Sequence, residues 1–449
     1  MKTNSDEMHN QEMLLKKIRQ SSEVFDKLAN SYEVWVPESG WLAGRRNRDK
    51  NDSKRKYLDD WTMLSFVFEI DNCHYPMADS YLQYGIDGVI RIAAETLETL
   101  QNNLQSKLQD QTQLDIAYLE SLLHVWKRFR QFVADHMVLA LESAKQETSD
   151  TKKKRYEKIA KICQNVTINK PNTFCEALQL FWFTYLFRSP FGAGCIGRLD
   201  QLLYPFYKHD CEMGIWDQQE AEKMLEEMFT RMNEINTGDT LRNLMLSGQD
   251  AKGNDQTNEI TYLILVAYEN TGGSEPHLNV RFHEKTPKKL RDNCINMLSS
   301  GSGQPTIYFD EAVLPAMEKA GICHEDACQY ANDGCTETVI AGKSAIVFWQ
   351  YEMVKTVELT LFGGNENPCV KPVSMKKNSI HGADFVPKTN LLIGIESKKP
   401  QELTTFSEFL SAFFEQMDHQ LDHYFLMIKQ KMQEDQTVSI TSPFTAGTF

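Results

Sequence analysis

The sequence lacks several features that would assign it to a common class of protein. Its ten cysteines include no pair at CxxC spacing, and Cys323, Cys328 and Cys335 are not spaced as zinc ligands. The longest apolar run, residues 177–187, contains a glutamine and is far shorter than the roughly 20 residues of a membrane helix. The net charge of −14 argues against nucleic-acid binding, which needs clustered basic residues. We therefore expect no metal site, no membrane span and no nucleic-acid partner.

The N-terminal residues, MKTNSDEMHNQE, contain no apolar segment of the kind found in a signal peptide. Without a secretory signal or a disulfide framework, the cysteines are most simply read as reduced thiols. These two observations predict a cytoplasmic protein.

The residues that are present predict a large α/β domain. Hydrophobic residues make up 41% of the 449-residue chain, which is enough for a sizeable core. Residues 1–56 are polar and charged, so we expect an N-terminal extension there and a globular domain over 57–449. Within it, capping boxes such as Thr173 to Glu176 predict long helices, and alternation over His277–Phe282 predicts a half-buried strand. Strands that alternate with long helices are typical of an α/β architecture.

Two glycine motifs suggest phosphate binding, but neither fits its physical requirement. Gly342-Lys343-Ser344 would need a glycine at position 337, where the sequence has a glutamate. The GxGxxG motif over 192–197 follows a predicted helix instead of a strand, so a plain turn is favoured over a dinucleotide loop.

One short stretch combines a thiol and a carboxylate, Cys335 and Glu337, within the segment YANDGCTETVIAGK. On an extended chain, side chains two residues apart point to the same side, roughly 6–7 Å apart. Such a pair would place a nucleophile or radical carrier beside an acid or base. The residues alone leave a second interpretation open, in which Cys335 is a buried thiol that acts as a small hydrophobic side chain.

The segment resembles the active-site loop of the glycyl radical enzymes, the pyruvate formate-lyase superfamily. Further blocks resemble that family in the same order: GIDGVIRI (85–92), EALQLFWF (176–183), GRLDQLLYPFY (197–207), LSGQDAKGNDQTNEITYLIL (246–265), HLNVRFHEKTP (277–287) and GSGQPTIYFDEAVLPA (301–316). The resemblance runs from about residue 57 to the end of the sequence.

The resemblance implies an α/β barrel of ten strands with abundant surrounding helices, only part of which this chain would supply. It implies that Cys335 carries a thiyl radical that abstracts hydrogen from a small-molecule substrate, and that Glu337 is the general base. The Cys-x-Glu pattern is similar to the branch of lyases, dehydratases and decarboxylases, enzymes of anaerobic metabolism. His74 falls where related enzymes place a polar pocket residue.

The family's radical is stored on a glycine in a motif similar to Arg-Val-x-Gly-Tyr, and this sequence contains no such motif. We therefore expect a chain truncated before the glycyl radical domain and no bound cofactor, the required organic radical being supplied on a glycine elsewhere. The resemblance implies three partners: a radical-SAM activating enzyme, a separate glycine-radical polypeptide, and a second copy of the chain in a homodimer.

Three other functions remain open at this stage. The chain could be a catalytically inactive remnant or binding module, or it could have a formate acetyltransferase type of activity. The third is an ordinary thiolate enzyme in which Lys343 or a histidine polarises Cys335.

Overall fold

The fold is described from a computed structural model of the chain. The structure describes residues 4–45, 80–102, 109–188, 194–215, 217–234, 242–272, 274–333, 336–344, 353–365, 394–398 and 400–434. The chain forms two compact units, one made of residues 1–346 with 441–449 and the other of residues 347–440.

The described part of the larger unit alternates helices with short strands. Its elements are α1 (Asn4–Ser31), α2 (Ser80–Asn102), α3 (Gln109–Gln146), α4 (Asp150–Ile168), α5 (Phe174–Arg188), β1 (Gly194–Gly197), α6 (Leu199–Met213), α7 (Gln218–Glu234), β2 (Arg242–Ser247), α8 (Glu259–Thr271), β3 (His277–Phe282), α9 (Lys288–Ser299), β4 (Thr306–Phe309), α10 (Asp310–Lys319), α11 (His324–Ala327), β5 (Ala331–Asn332) and β6 (Thr338–Val339). The smaller unit contains α12 (Met353–Leu361), a 3-10 turn (Pro400–Glu402) and α13 (Phe406–Glu434). Among the described helices, none is long and apolar enough to cross a membrane.

Strands β1 to β4 form one parallel sheet in the order β1-β2-β3-β4. Leu244 lies opposite Leu278, and Val280 lies opposite Ile307 in the register of neighbouring strands. Helices connect each strand to the next, as parallel pairing requires. Strands β5 and β6 form a separate antiparallel hairpin, with Ala331 opposite Val339. The predicted α/β architecture is confirmed.

Strands β2 and β3 are buried on both faces, so the prediction of a half-buried strand at β3 is wrong. Leu278 and Val280 belong to the main hydrophobic core, which the helices cover. Asn279 and Arg281 on the opposite face are also buried. That face packs toward a second group of buried residues, the hairpin cluster: Cys195, Met245, Leu314, Met317, Ala327, Cys328, Tyr330, Ala331, Val339 and Ile340. Parallel strands covered on both sides are typical of α/β folds.

The second half of the GxGxxG motif, residues 194–197, forms strand β1, so the prediction of a plain turn is wrong for these residues. Cys195 joins the hairpin cluster, whereas Ile196 joins the main core. Neighbouring side chains that serve opposite faces favour a strand over a turn.

The capping box predicted from Thr173 and Glu176 is confirmed at the start of α5, and the similar sequence patterns at Asp217–Glu220 and Thr405–Glu408 also form capping boxes, at the starts of α7 and α13. At α5, the Glu176 amide donates to Thr173 Oγ1 at 3.3 Å, and the Thr173 amide donates back to Glu176 Oε2 at 3.3 Å. The same reciprocal pattern joins Asp217 to Glu220 and Thr405 to Glu408.

An aromatic cluster joins the N-terminal segment to the helical core. The Phe187 ring lies 5.0 Å from that of Phe25, 4.8 Å from that of Tyr32 and 5.0 Å from that of Phe132. The described part of the N-terminal segment therefore packs into the core of the larger unit. The expected domain boundary near residue 56 lies outside the described residues and stays a prediction.

We expect Phe187→Ala to lower the free energy of unfolding by about 3–5 kcal/mol, because it leaves a cavity among several rings. Chemical denaturation measures the change. Phe406→Ala is the matched control, since that ring is 76% exposed and its loss should cost less than about 0.5 kcal/mol. Equal losses in the two variants would contradict the packing described for Phe187.

Candidate active site

The candidate site lies where the parallel strands of the larger unit end. Arg198 directly follows β1, Ser247 is the last residue of β2, and Asp310 directly follows β4. Arg281 is the last residue but one of β3. In open α/β sheets the carboxyl edge of parallel strands is the usual place for a ligand. Residues 328–332, which lead into the β5–β6 hairpin and which we call the hairpin stem, are bound to this edge.

A buried ion pair forms the centre of the site. Arg281 Nε and Nη2 donate to the two carboxylate oxygens of Asp310, at 2.8 and 2.9 Å, and both side chains are fully buried. The Tyr330 hydroxyl and the Gln249 amide also donate to this carboxylate, at 3.1 and 3.0 Å. A buried ion pair needs such additional hydrogen bonds to offset the cost of removing both charges from water.

Two buried arginines hold the hairpin stem through its backbone. Arg281 Nη1 donates to the carbonyl of Cys328 at 2.9 Å, and Arg198 Nη1 donates to the same oxygen at 3.3 Å. Arg198 also donates to the carbonyl of Ser247 at 2.9 Å. Burial lowers the pKa of Arg198 to about 10, and the neighbouring charge of Arg281 acts in the same direction. The Arg281 guanidinium lies 4.0 Å from the centre of the Tyr330 ring, and burial raises the pKa of that tyrosine.

Asp200 supplies a second buried negative charge near Arg198. Its Oδ2 atom accepts hydrogen bonds from the Ser247 amide and the Thr261 hydroxyl, each at 2.8 Å. Burial raises the pKa of Asp200, and the charge of Arg198 opposes that rise. Ser247, the last residue of β2, is therefore held through its carbonyl by Arg198 and through its amide by Asp200, two residues that follow β1.

Hydrogen bonds among residues 332, 333, 336 and 337, on either side of the two residues outside the described part, join the two strands of the hairpin; we call residues 333–337 the closed loop. The Asp333 amide donates to the carbonyl of Glu337 at 2.8 Å, and the Thr336 amide donates to the carbonyl of Asp333 at 2.9 Å. The Asn332 side-chain amide donates to the carbonyl of Thr336 at 3.1 Å. Asp333 is buried and Glu337 is half-buried. The loop thus holds the half-buried carboxylate of Glu337 close in sequence to the buried Asp333.

Thr336 has a φ angle of 109°, a conformation that is rare for a β-branched residue. The expectation that Cys335 and Glu337 share a side rests on an extended chain between them. The positive φ of Thr336 departs from extended backbone, but Cys335 lies outside the described residues, so the expectation stays a prediction. Backbone strain of this kind costs about 1–3 kcal/mol and is found preferentially at functional sites.

A sequence model of the family described as pyruvate formate lyase-like matches residues 70–439 of this chain. The chain belongs to the pyruvate formate lyase-like family. It is 32% identical over 301 residues to trans-4-hydroxy-L-proline dehydratase of Clostridioides difficile, covering 63% of this chain and 36% of that protein. It is 28% identical over 333 residues to isethionate sulfite-lyase of Oleidesulfovibrio alaskensis, covering 69% of this chain and 37% of that protein. The chain thus spans about a third of the length of the curated relatives it matches.

Solved structures give the same fold. The B12-independent glycerol dehydratase of Clostridium butyricum matches with a TM-score of 0.71 and 21% identity, over 97% of this chain and 61% of that chain. The hydroxyproline dehydratase of C. difficile, bound to trans-4-hydroxy-L-proline, matches with a TM-score of 0.67 and 25% identity, over 84% and 47%. The predicted pyruvate formate-lyase type of barrel is confirmed, and the described residues contribute the parallel sheet β1 to β4.

The structure describes one of the three site residues predicted from the sequence. Glu337 lies in the closed loop, whereas Cys335 and His74 lie outside the described residues. The role of each of the three stays a prediction.

Lys343 does not support the alternative of a lysine-polarised thiolate. Its ammonium group donates to Asp326 Oδ1 at 2.6 Å on the surface of the larger unit. The turn around it closes through a hydrogen bond from the Ile340 amide to Ser344 Oγ at 2.9 Å.

Four residues that hold the loop had no role predicted from the sequence: Arg198, Arg281, Asp310 and Tyr330. Each lies within a segment quoted for the family resemblance, but none was given a role. A usable signal was present, because charged residues stand at or next to the carboxyl ends of β1, β3 and β4.

We expect Arg281→Met to lower the free energy of unfolding by about 3–5 kcal/mol, because it leaves the Asp310 carboxylate buried without its cation. The double variant with Asp310→Leu should lose less than the sum of the two single losses. Lys288→Met is the control, since its pair with Asp292 is exposed and should contribute less than about 1 kcal/mol. Chemical denaturation of the two single variants and the double variant measures the three losses. A loss in the double variant equal to the sum of the two single losses would contradict a coupled buried pair.

Thr336→Gly should raise the free energy of unfolding by about 1 kcal/mol, because glycine adopts a positive φ without strain. Thr338→Gly, two residues further on in β6, should instead lower it by about 0.5–1 kcal/mol. Thermal and chemical denaturation of both variants compare the two positions. A loss of stability in both would show that Thr336 is not strained.

Proposed function

We propose that this chain carries the thiyl-bearing part of a glycyl radical lyase or dehydratase. The observation that supports this best is the closed loop from Asp333 to Glu337, whose stem is held by Arg198 and Arg281 at the carboxyl edge of a family-type sheet. Cys335 is the residue that abstracts hydrogen, Glu337 is the base, and His74 is a pocket residue.

The proposed reaction balances with these two side chains. A thiyl radical on Cys335 takes a hydrogen atom from a carbon of the substrate, which leaves a carbon radical and a restored thiol. Glu337 accepts the proton of the substrate hydroxyl or amino group, and the neighbouring carbon then releases its leaving group with the bonding electrons. Glu337 passes the proton to that departing group and so returns to its ionised form. The product radical takes the hydrogen atom back from the Cys335 thiol, so the cysteine ends each cycle as it began.

The surroundings of the loop fit such chemistry. Its stem is buried, and the buried ion pair fixes its backbone, which favours a constant distance between base and substrate. A glycyl radical, once formed, supplies the unpaired electron that the Cys335 thiol needs. We propose that a radical-SAM activating enzyme generates it, on a glycine in a further segment of the natural protein or in a separate polypeptide. The active form would be a homodimer.

The residue after Cys335 favours lyase or dehydratase chemistry over a formate acetyltransferase. Pyruvate formate-lyase itself has two adjacent cysteines in this loop, whereas here Thr336 follows Cys335. The substrate we propose is a small organic molecule with a hydroxyl or amino group on the carbon next to the one that bears its leaving group. Trans-4-hydroxy-L-proline and isethionate, which name two of the relatives, are reasonable first compounds to test.

The proposal is tested with the natural protein, including any polypeptide that carries its glycine loop, activated anaerobically by its radical-SAM enzyme. Electron paramagnetic resonance should show a glycyl radical in the wild type and in the variants Cys335→Ser and Glu337→Gln. Cys335→Ser should have no turnover, and Glu337→Gln should lose about 100-fold to 10,000-fold in kcat, as expected for a general base. Product formation is followed by mass spectrometry.

Matched controls are Cys211→Ser and Glu311→Gln, since both side chains are exposed and remote from the loop in sequence. Both controls should keep full activity. Turnover that survives Cys335→Ser would overturn the proposal, as would the absence of any glycyl radical. Release of formate from pyruvate and coenzyme A would instead favour the acetyltransferase alternative.

A further inference from the structure

Two histidines, His419 and His423, lie side by side on α13 of the smaller unit. They are four positions apart, and residues at this spacing are neighbours on one face of a helix. Their ring centroids are 4.3 Å apart, with an angle of 57° between the ring planes. His419 is half-buried and His423 is exposed, so solvent reaches the pair. The structure therefore presents two imidazoles together at the surface of one helix.

The hydrogen bonding of His423 leaves one of its ring nitrogens available to a ligand. Nδ1 of His423 lies 3.0 Å from the carbonyl oxygen of His419, and a carbonyl can only accept, so Nδ1 carries the hydrogen. In the neutral ring, Nε2 then has the lone pair. Histidines that bind a metal through one ring nitrogen typically donate from the other to a group such as a backbone carbonyl. The helix itself thus sets both the tautomer and the orientation of this ring.

The charges around the pair favour a cation. Asp418 and Asp422 directly precede the two histidines, and Glu415 lies one turn before His419 on the same face. All three acidic side chains are exposed. Within the described part of the chain, no three histidine, cysteine or acidic side chains are placed to hold a metal ion together. Any metal site here therefore has the two imidazoles as its protein ligands.

We infer that His419 and His423 bind one divalent transition-metal ion, such as Zn²⁺ or Ni²⁺, with water in the remaining coordination positions. Imidazole nitrogen suits these ions, whereas Mg²⁺ and Ca²⁺ prefer oxygen ligands. The same spacing of two histidines on one helix face binds zinc in the H-E-x-x-H motif. Because the helix already holds the second imidazole close to the first, its binding step is intramolecular and therefore strengthens the site. The inference is independent of the reaction proposed for Cys335.

The absence of zinc-type cysteine spacing, from which we expected no metal site, does not bear on a pair of histidines. That spacing concerns closed structural sites with four protein ligands. A site with two protein ligands is open, so its ion exchanges with the solvent and is detected by titration.

Isothermal titration calorimetry of the full chain with Ni²⁺ tests the site. The wild type should bind a Ni²⁺ ion that His419→Ala and His423→Ala each bind at least about tenfold more weakly, because one imidazole of the chelate is gone. Alanine favours helix, so neither substitution should disrupt α13. Equal Ni²⁺ affinity in the wild type and in both single variants overturns the inference.

The matched control moves one histidine to another face of the helix. The double variant His423→Ala with Phe425→His keeps the number of histidines, but positions 419 and 425 are roughly 120° apart around the helix axis. The Phe425 ring is 62% exposed, so its replacement leaves no cavity. This control should bind Ni²⁺ as weakly as His423→Ala. Wild-type affinity in the control overturns the inference, since the spacing would then not matter.

Nuclear magnetic resonance of the histidine rings locates the ion among the eleven histidines of the chain. With ¹³C-labelled histidine, the signals that disappear in His419→Ala and His423→Ala are assigned to these two residues. Substoichiometric Ni²⁺, which is paramagnetic, should broaden both signals before that of His124, whose ring is paired with Asp26. Broadening that begins at other histidines overturns the inference.

Discussion

The pair of Arg281 and Asp310 is the interaction on which the rest of the site depends. It joins the end of β3 to the residue after β4, and it is fully buried. The same guanidinium contacts the backbone of the hairpin stem at Cys328, and the same carboxylate accepts the Tyr330 hydroxyl. The sheet and the loop are thus held by one set of charges that water cannot screen. Loss of either partner would leave a buried charge and release the stem.

The two faces of the sheet explain why this arrangement is possible. The sheet has an apolar face that the helices cover, and the burial of this face contributes to the stability of the larger unit; its residues include Leu244, Leu246, Leu278 and Val280. The opposite face carries polar side chains such as Asn243 and Asn279, which are hydrogen-bonded to each other at 2.7 Å. A polar face inside an α/β fold is costly unless its groups are paired. Here that face also bears the groups that hold the candidate catalytic loop.

Local features of the fold could be predicted from the sequence, because they depend on neighbouring residues. The capping box of Thr173 and Glu176 and the position of the strand over His277–Phe282 are examples. Strand β1 was missed, since four residues that include two glycines carry little alternation. The pairing of Arg281 with Asp310 could not be predicted by spacing, because two separate strands bring these residues together. The positive φ of Thr336 was equally hidden, since threonine favours extended backbone and gives no signal for a turn.

The most direct test of this account is hydrogen–deuterium exchange of the peptide that covers residues 328–344, measured in the wild type, Arg281→Met and Lys288→Met. The amides of Asp333 and Thr336 close the loop, so they report on its integrity. If the buried pair holds the loop, this peptide should exchange faster in Arg281→Met than in the wild type. The increase in its exchange rate should be larger than the increase in peptides from α3. Lys288→Met should match the wild type. Equal exchange of the loop peptide in all three proteins would contradict the claim that the Arg281–Asp310 pair positions the loop.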